Sequence, residues 1–500
     1  MNQTKNQTVK NQFPTFTFLH MFFQPNSMFR IGVFLLSAII FGNCIAIAQT
    51  NPIRGGTPPT PNNVTPNNIA TNNVETITPN KENNITDPVV KAELEKAVEA
   101  FNKSKFPETL DILKTLCANH PEIAPPRVIM AQMFAEAKLG DAVRANLELG
   151  TEETPDDPEA YLLLGEIALR QRSLTAAELL LKRAAEKVQA YSANATRKKN
   201  LTSSLMRVFS DLYEVRQRWE QMEKCVNEQI QFDGQNATFL RRKGIAVFRQ
   251  NRDDEAKQLF LQADQLDKEN KEFGQKGLPA DAAMSQLYLT RNDKDNARKS
   301  LEAALKAYPQ SKEVLALSVQ MRINDDQLED AGNLSQKLLN DDQTSIPAKR
   351  LRATVALYLQ DYPLAEKLFQ ELLLESPTDS QAQNGLALAL CEQQNSPDKI
   401  KRALEYAVDN VRKNQNNSEF WGTLGWVQYQ ANMFDEATKS LRQSVATGSI
   451  NAATAYYHAR LAVKANKIDD AKQFLNLALQ GNNQFAKRRE AIQMQKELSK

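Results

Sequence analysis

The spacing of apolar residues divides the chain near residue 89. From Val89 to the C-terminus, apolar and small residues recur three and four positions apart, which places them on one face of a helix. Residues 49–88 instead hold isolated Val and Ile among Pro, Asn and Thr, with neither a helical nor an alternating period. The pattern predicts an all-α domain over residues 89–500. It predicts a disordered linker over residues 49–88, because that segment cannot bury enough apolar area to offset the entropy of ordering it.

Within the helical part, one small residue repeats at intervals of about 34 residues. Ala437 shows the surroundings of this repeat position: Gly425 lies twelve residues before it and Leu441 four residues after it. The repeat positions along the chain are Thr109, Ala142, Ala177, Met222, Ala256, Ala297, Ala331, Ala365, Ala403, Ala437 and Ala471. Five of the ten intervals are 34 residues, and two more are 33 and 35. Such a period predicts stacked copies of one small structural unit.

This pattern resembles the tetratricopeptide repeat, a pair of helices with a Gly or Ala in the first helix and an Ala twelve residues later in the second. The chain departs from the family pattern at Thr109 and Met222, which replace the small residue, and in three longer intervals. The resemblance implies a right-handed superhelical solenoid of about eleven helix-turn-helix units. Neighbouring units would stack because no unit can bury its apolar face alone.

Two further expectations follow from the resemblance. Trp219, Tyr362 and Phe434 stand where the family places an aromatic residue between the two helices of a unit, so we predict that they are core residues. Residues 485–500 form a polar, amphipathic stretch after the last unit. We predict that they form a solvent-facing capping helix, which the open end of a repeat array requires.

An uncharged apolar segment precedes the linker. Residues 31–48 contain no charged residue, Arg30 lies just before them, and the segment ends in Ala-Ile-Ala. It fits either a signal peptide cleaved after Ala48 or a retained transmembrane anchor. Cys44 leaves a lipid-modified N-terminus as a third option. In each case the upstream cations place the repeats outside the cytoplasm, most simply in a bacterial periplasm.

The residues before this segment leave the start of the protein open. Met28 is a natural first residue for a signal peptide or anchor that covers residues 28–48. Residues 1–27 are then either the product of a mis-called start or a short cytoplasmic arm.

The composition offers few groups for catalysis or metal binding. The chain has 3 His and 17 Gly and lacks the motifs of phosphate-binding loops and zinc sites. Cys117, Cys225 and Cys391 fall in different units, which do not converge in a solenoid. The 62 Lys and Arg nearly balance the 60 Asp and Glu, which disfavours nucleic acid as a partner. We therefore predict that the protein is not an enzyme and uses no cofactor or metal.

The predicted binding surface is the concave groove, which in tetratricopeptide arrays is lined mainly by the first helix of each unit. Aromatic and cationic residues mixed on one face suit a peptide or carboxylate ligand. In the last two units the predicted exposed groove residues are Trp426, Tyr429, Tyr456, Arg460 and Lys464. The predicted function is a non-enzymatic scaffold of the cell envelope that holds a protein or peptide partner in this groove. The alternative is an accessory subunit of polysaccharide or cell-wall synthesis or export machinery.

Overall fold

A computed structural model describes residues 88–120, 122–269, 277–393, 396–448, 450–480 and 484–499. Every regular element in these ranges is an α-helix, which confirms the predicted all-α fold. The predictions for residues 1–27 and 28–48, and for the linker before Pro88, lie outside the described residues. The helices are α1 Pro88–Asn102, α2 Phe106–Asn119, α3 Pro126–Glu136, α4 Gly140–Glu153, α5 Glu159–Arg170, α6 Leu174–Ala190, α7 Ala195–Val215, α8 Trp219–Asp233, α9 Ala237–Arg249, α10 Asp253–Glu269, α11 Ala280–Thr290, α12 Lys294–Ala307, α13 Lys312–Asn324, α14 Leu328–Asp341, α15 Ile346–Tyr358, α16 Tyr362–Glu375, α17 Ser380–Cys391, α18 Pro397–Lys413, α19 Ser418–Gln430, α20 Phe434–Thr447, α21 Ala452–Lys464, α22 Ile468–Leu479 and α23 Arg488–Leu498.

The first 22 of these helices form eleven consecutive pairs, which we number units 1 to 11 from α1–α2 to α21–α22. The first helix of each unit is helix A and the second is helix B. Helix A packs on helix B of its own unit and each helix B packs on the next helix A, so the units stack into a right-handed superhelical solenoid. The predicted architecture is confirmed, and α23 follows the last unit.

The turn between helix A and helix B has the same backbone in ten units. One non-glycine residue in each of these turns is in the left-handed region, with φ between 56° and 63°. These residues are Ser104, Lys138, Arg172, Gln217, Asn251, Asn292, Asp326, Gln360, Asn432 and Asn466. In nine of the ten turns this residue lies five positions before the repeat position predicted from the sequence.

Unit 2 is the exception, and it corrects one prediction. Lys138 lies five residues before Val143, so Val143, not Ala142, occupies the repeat position there. The corrected intervals on either side are both 34 residues, from Thr109 to Val143 and from Val143 to Ala177. Thr109 and Met222, the two departures from the family pattern, are both fully buried where helix A meets helix B.

Helix A begins at the same place in most units because a polar side chain caps it. In seven of the eleven units an Asn, Ser or Asp side chain just before helix A accepts a hydrogen bond from a backbone N–H of the first turn. Such caps satisfy donors that the helix leaves unpaired. Counted from the cap, equivalent residues of helix A can be compared between units. The thirteenth residue after the cap is Arg249 after Asn236, Glu392 after Asp379 and Lys464 after Asn451.

Small residues allow helix A and helix B to pack closely. A Cβ atom on Gly425 would lie 2.6 Å from Cγ of Leu441, the residue four positions after the repeat position. Glycine is therefore the residue that this crossing accepts. The longer interval between units 3 and 4 is taken up by longer helices, 17 residues in α6 and 21 in α7. Among the described helices none has the length and apolar character needed to cross a membrane.

Candidate functional site

The five residues predicted to bind a partner lie together on α19 and α21. The ring of Trp426 stacks on that of Tyr429, with centroids 5.2 Å apart. Arg460 donates a hydrogen bond from Nη1 to the hydroxyl of Tyr456 at 3.1 Å. Lys464 places Nζ 5.0 Å from the ring centroid of Phe434, at the start of helix B in unit 10. The residues form one cluster, and its role in binding remains a prediction.

The predicted exposure of this cluster is wrong for its two central residues. Trp426 is only 2% exposed and Tyr456 is fully buried. Tyr429 and Arg460 are half-buried, and Lys464 is exposed. Burial in water-excluded surroundings raises the pKa of Tyr456 to about 12. Helical periodicity did not predict this burial, because it does not show that another part of the chain lies on the helix A face.

That part is residues 484–490, which we call the C-terminal segment. The hydroxyl of Tyr358 in unit 8 donates to the backbone oxygen of Gln484 at 3.3 Å. The Gln484 side chain donates to the backbone oxygen of Asn324 in unit 7 at 3.4 Å. Phe485 packs against Tyr456 of unit 11, with ring centroids 5.9 Å apart. The segment therefore touches units that are up to 160 residues away in sequence.

The prediction of a solvent-facing capping helix over residues 485–500 is correct only in part. The helix is shorter, Arg488–Leu498, and it does pack on α22 through a hydrogen bond from Gln495 to Asn476. The residues before it turn instead onto the helix A face. Phe485 is 6% exposed and joins the apolar core that runs through units 8 to 11, so an apolar residue in this polar stretch is what pulls the segment inward.

Lys487 is the charged anchor of the C-terminal segment. Its Nζ lies 2.8 Å from a carboxylate oxygen of Glu392 and 2.9 Å from one of Glu490. The other oxygen of Glu392 accepts a hydrogen bond from the indole N–H of Trp426 at 2.8 Å. Burial alone would lower the pKa of Lys487, but Glu392 and its other partners hold that pKa above its ordinary value. The ammonium group therefore stays charged in a site from which water is largely excluded.

A comparison of units shows what Lys487 replaces. Trp219 and Phe434 are each the first residue of a helix B, and each is covered by a cation thirteen residues after the next helix A cap. Arg249 Cζ lies 5.4 Å from the ring centroid of Trp219, and Lys464 lies above Phe434 in the same way. These contacts are cation–π interactions. The two aromatic residues are half-buried rather than interior, which corrects the prediction that they are core.

Tyr362 begins helix B of unit 8 and is half-buried like the other two aromatic residues, so the core prediction is corrected for it as well. The next unit carries an acid at the cation's position, because the thirteenth residue after Asp379 is Glu392. Lys487 supplies the missing cation, with Nζ 5.4 Å from the Tyr362 ring centroid. We call the surface lined by Tyr358, Tyr362, Glu392, Trp426 and Tyr456 the C-terminal groove.

Units 3 to 5 present a different helix A face. Glu166 of α5 pairs with Arg207 of α7 at 3.1 Å, and Asp211 of α7 pairs with Arg242 of α9 at 2.6 Å. Arg207 also lies 3.6 Å from Asp211, so the charges alternate across three units. Burial would raise the pKa of Glu166, but Arg207 and Arg170 together hold it below its ordinary value. We call this row the ion-pair ladder.

Four residues of the C-terminal groove and its occupant were not predicted from the sequence: Tyr362 as a groove residue, Glu392, Phe485 and Lys487. Two features pointed to them. Glu392 stands at the cap-counted position of the cations Arg249 and Lys464, and Phe485 is the single aromatic residue of the chain after Phe474. Among the described residues, no three His, Cys, Asp or Glu side chains converge as a metal site would require, and Cys117, Cys225 and Cys391 are free thiols.

Comparisons with known proteins agree on the repeat. A model of the tetratricopeptide repeat matches residues 135–195 and 350–415, and a second tetratricopeptide model matches residues 282–311. A search of curated proteins finds no match to this chain. The chain thus contains tetratricopeptide repeats, and the common turn geometry extends the same unit to the stretches between the matches.

Several solved structures are similar to the chain. A tetratricopeptide repeat protein from Parabacteroides merdae is 12% identical, with 53% of this chain and 99% of that chain covered and a TM-score of 0.42. Tom70 from yeast is 14% identical, with 82% and 96% covered and a TM-score of 0.33. The protein pilF from Pseudomonas aeruginosa is 20% identical, with 44% and 96% covered and a TM-score of 0.30.

Proposed function

We propose that the protein is a non-enzymatic scaffold of the cell envelope that holds a protein or peptide partner on the helix A face of units 7 to 11. The observation that carries the proposal is the C-terminal segment itself. A stretch of polypeptide lies on this face and makes backbone, charged and aromatic contacts there, with Asn324, Tyr358, Glu392 and Tyr456. The face therefore has a shape and a set of polar groups that accept a polypeptide chain.

The envelope part of the proposal is supported by the sequence before the repeats. Residues 31–48 are apolar and uncharged, and Arg30 precedes them. Export with cleavage after Ala48 and retention as an anchor predict different mature proteins. Mass spectrometry of the protein purified from its own cells measures the N-terminus. A chain that begins at Gln49 supports secretion, an intact chain in the membrane fraction supports an anchor, and an intact soluble chain in the cytoplasm contradicts both.

Site-directed photo-crosslinking tests where a partner binds. Lys464 lies on helix A at the edge of the C-terminal groove, and Lys439 lies on helix B of unit 10; both are exposed. A photoreactive amino acid at position 464 should give an adduct with a discrete protein in intact cells, and the same group at position 439 should not. Adducts of equal yield at both positions would show that this groove is not the binding face. A carbohydrate adduct at position 464 would favour the accessory role in polysaccharide synthesis or export.

A further inference from the structure

The C-terminal segment has the properties of a bound ligand rather than of a structural cap. It begins at Gln484, and only four residues of the sequence, 480–483, lie between it and the end of α22. Seven residues span at most about 25 Å, yet residues 484–490 contact units 7, 8, 9 and 11. Since neighbouring helices lie about 8–10 Å apart, the units must converge on this side. The segment therefore lies along the concave surface, where the family resemblance places the binding groove.

The aromatic subsite of the C-terminal groove accepts Phe485. Its ring lies against Tyr456, which in turn contacts Trp426 with ring centroids 5.9 Å apart. Trp426 stacks on Tyr457 at 4.5 Å, so the floor of the subsite is a continuous set of aromatic rings on α19 and α21. Packing of this kind favours an aromatic or large apolar side chain and gains little from a small one.

The cation subsite accepts Lys487. The residues that line it include an acid at the position where other units carry a cation. Glu392 occupies the position at which units 5 and 11 carry Arg249 and Lys464. The carboxylate of Glu392 has two partners, Lys487 and the indole of Trp426, and its side chain is 9% exposed with the C-terminal segment in place. Without Lys487 this carboxylate would keep only its neutral partner, so a cation is needed to complete the ion pair. The subsite is therefore selective for a positive side chain above Tyr362.

A cleft adjoins the C-terminal segment near unit 7, next to the residues that line the C-terminal groove. An open cleft of about 420 Å³ remains between Gln484 and Arg488 on one side and the turn of unit 7, residues 324–327, on the other. A chain that enters from unit 7 thus has room to begin contact before the C-terminal segment has left. Exchange of one polypeptide for another can then proceed stepwise along the groove.

We propose that the C-terminal groove recognises a polypeptide with an aromatic residue two positions before a lysine, and that Phe485 and Lys487 of this chain occupy it in cis. A partner of this chemistry binds by displacing the C-terminal segment. This inference rests on the proposed function, because it names the partner chemistry of the same groove. Tethering by residues 480–483 gives the segment a local concentration on the order of millimolar, so a free peptide binds the native chain weakly.

The test uses the full chain and a fluorescent peptide with the sequence of residues 484–490. The double variant Phe485→Ala/Lys487→Ala releases the segment and leaves every groove residue in place. The matched control is Gln493→Ala/Lys496→Ala, two exposed positions of α23. Fluorescence anisotropy should show that the released variant binds the peptide at least about tenfold more tightly than the native chain and the control do, as expected when a docked competitor is removed. Equal affinities would overturn occupancy in cis.

Charge reversal tests the cation subsite. A second peptide carries Lys487→Glu, and Glu392→Lys is introduced into the released variant. The reversed peptide should bind the released variant at least about tenfold more weakly than the native peptide, and Glu392→Lys should invert that preference. No binding of either peptide to a released variant that keeps its far-ultraviolet circular dichroism would overturn recognition, as would equal binding of both.

The outcomes separate this inference from the proposed function. A partner that crosslinks at position 464 and is not displaced by the peptide would leave the scaffold function standing and remove the aromatic–lysine chemistry. Tight peptide binding to the released variant without any crosslinked partner would do the reverse, because the groove would then serve only the chain's own segment.

Discussion

Equivalent positions of helix A carry charged residues in units 3 to 5 and aromatic residues in units 10 and 11. Eleven residues before the repeat position stand Glu166 and Asp211 in units 3 and 4, and Trp426 in unit 10. Asp211 meets Arg242 of the next unit in an ion pair of 2.6 Å. Trp426 meets Tyr457, at the place equivalent to Arg242, in a ring stack of 4.5 Å. The same repeated backbone thus carries the ion-pair ladder in units 3 to 5 and a set of packed aromatic rings in units 10 and 11.

The two faces differ in what they require from their surroundings. The ladder residues pair with one another, so the charges of Glu166 and Asp211 are satisfied without a ligand. The aromatic floor cannot satisfy itself in this way, because exposed rings remain in contact with water until something covers them. In this chain Phe485 packs on Tyr456, and Lys487 pairs with the carboxylate that accepts the indole N–H of Trp426; both rings are core residues. A groove in this solenoid is therefore defined by its uncompensated surface, not by its curvature alone.

The largest expected contrast is between truncations at the equivalent position of the two regions. Trp426→Ala should lower the free energy of unfolding by about 3–5 kcal/mol, because it empties a buried aromatic site. Asp211→Ala should cost about 1 kcal/mol, since Ser210 and Glu214 continue to contact Arg242 and the pair is partly exposed. Urea unfolding followed by far-ultraviolet circular dichroism measures both. Equal losses would contradict the difference between the two regions. A small loss for Trp426→Ala would mean that this side chain does not contribute to the folded core.

The fold could be predicted from the sequence because a solenoid repeats one helix pair with the same local contacts. The interval of 34 residues, the small residue and the capped helix starts all act within a unit or between neighbours, so each unit confirms the next. The single slip, Ala142 for Val143, arose because the residue type favoured Ala. The turn residue Lys138 shows that geometry, not residue type, sets the position.

The site was less predictable because it depends on contacts that are distant in the sequence. Helix periodicity places Trp426 and Tyr456 on the helix A face but does not show what covers that face. The covering residues Phe485 and Lys487 lie outside the repeat, and Gln484 reaches Asn324 across 160 residues. Nothing in a 34-residue period encodes such a contact. The acid at position 392 was visible in the sequence, but only the cap-counted comparison of units makes it unusual.

Close packing of helix A against helix A should make Gly422 in the C-terminal region intolerant of a side chain. A Cβ atom on Gly422 would overlap the hydroxyl of Thr454 and lie 2.8 Å from its methyl carbon, and Thr454 is 1% exposed. Gly422→Ala should therefore destabilise the protein by about 2–3 kcal/mol, as overpacking does. The control is Gly140→Ala at the start of α4, where a Cβ atom meets nothing within 4 Å. That change should be neutral or slightly stabilising, and thermal unfolding of both variants provides the measurement.

Acid should weaken the C-terminal region through His458. Burial lowers the pKa of this imidazole from 6.5 to about 4, and its ring stacks on Phe474 at 4.5 Å. Because the folded-state pKa is depressed, the unfolded chain binds the proton first. This contribution to stability is present above pH 6.5 and is lost as the pH falls toward 4, by about 1.6 kcal/mol between pH 6.5 and 5.

His458→Gln provides the reference for this pH dependence. The loss of unfolding free energy between pH 6.5 and 5 should be smaller in the variant than in the native chain, while titration of the carboxylates affects both alike. Parallel pH profiles of the native chain and the variant would show that His458 stays accessible to protons in the folded protein, and that the region around α21 is less dry than its burial indicates.

The smallest expected effect is in the turns between helix A and helix B, and it depends on whether the C-terminal segment restrains them. Lys138 in unit 2 and Gln360 in unit 8 both have φ of 60° and both are exposed, but only Gln360 hydrogen-bonds the C-terminal segment, at 3.3 Å to Glu490. A left-handed conformation costs a non-glycine residue about 1–2 kcal/mol, and glycine recovers part of this while adding freedom to the unfolded chain. Lys138→Gly should therefore stabilise the protein by about 0.5–1 kcal/mol, whereas Gln360→Gly should gain less, because it also removes the contact with Glu490. Differential scanning calorimetry of the two variants measures the difference.

In the Phe485→Ala/Lys487→Ala background that difference should vanish, because the released segment no longer contacts the turn of unit 8. A difference that persists there would assign it to the two turns themselves and not to the segment.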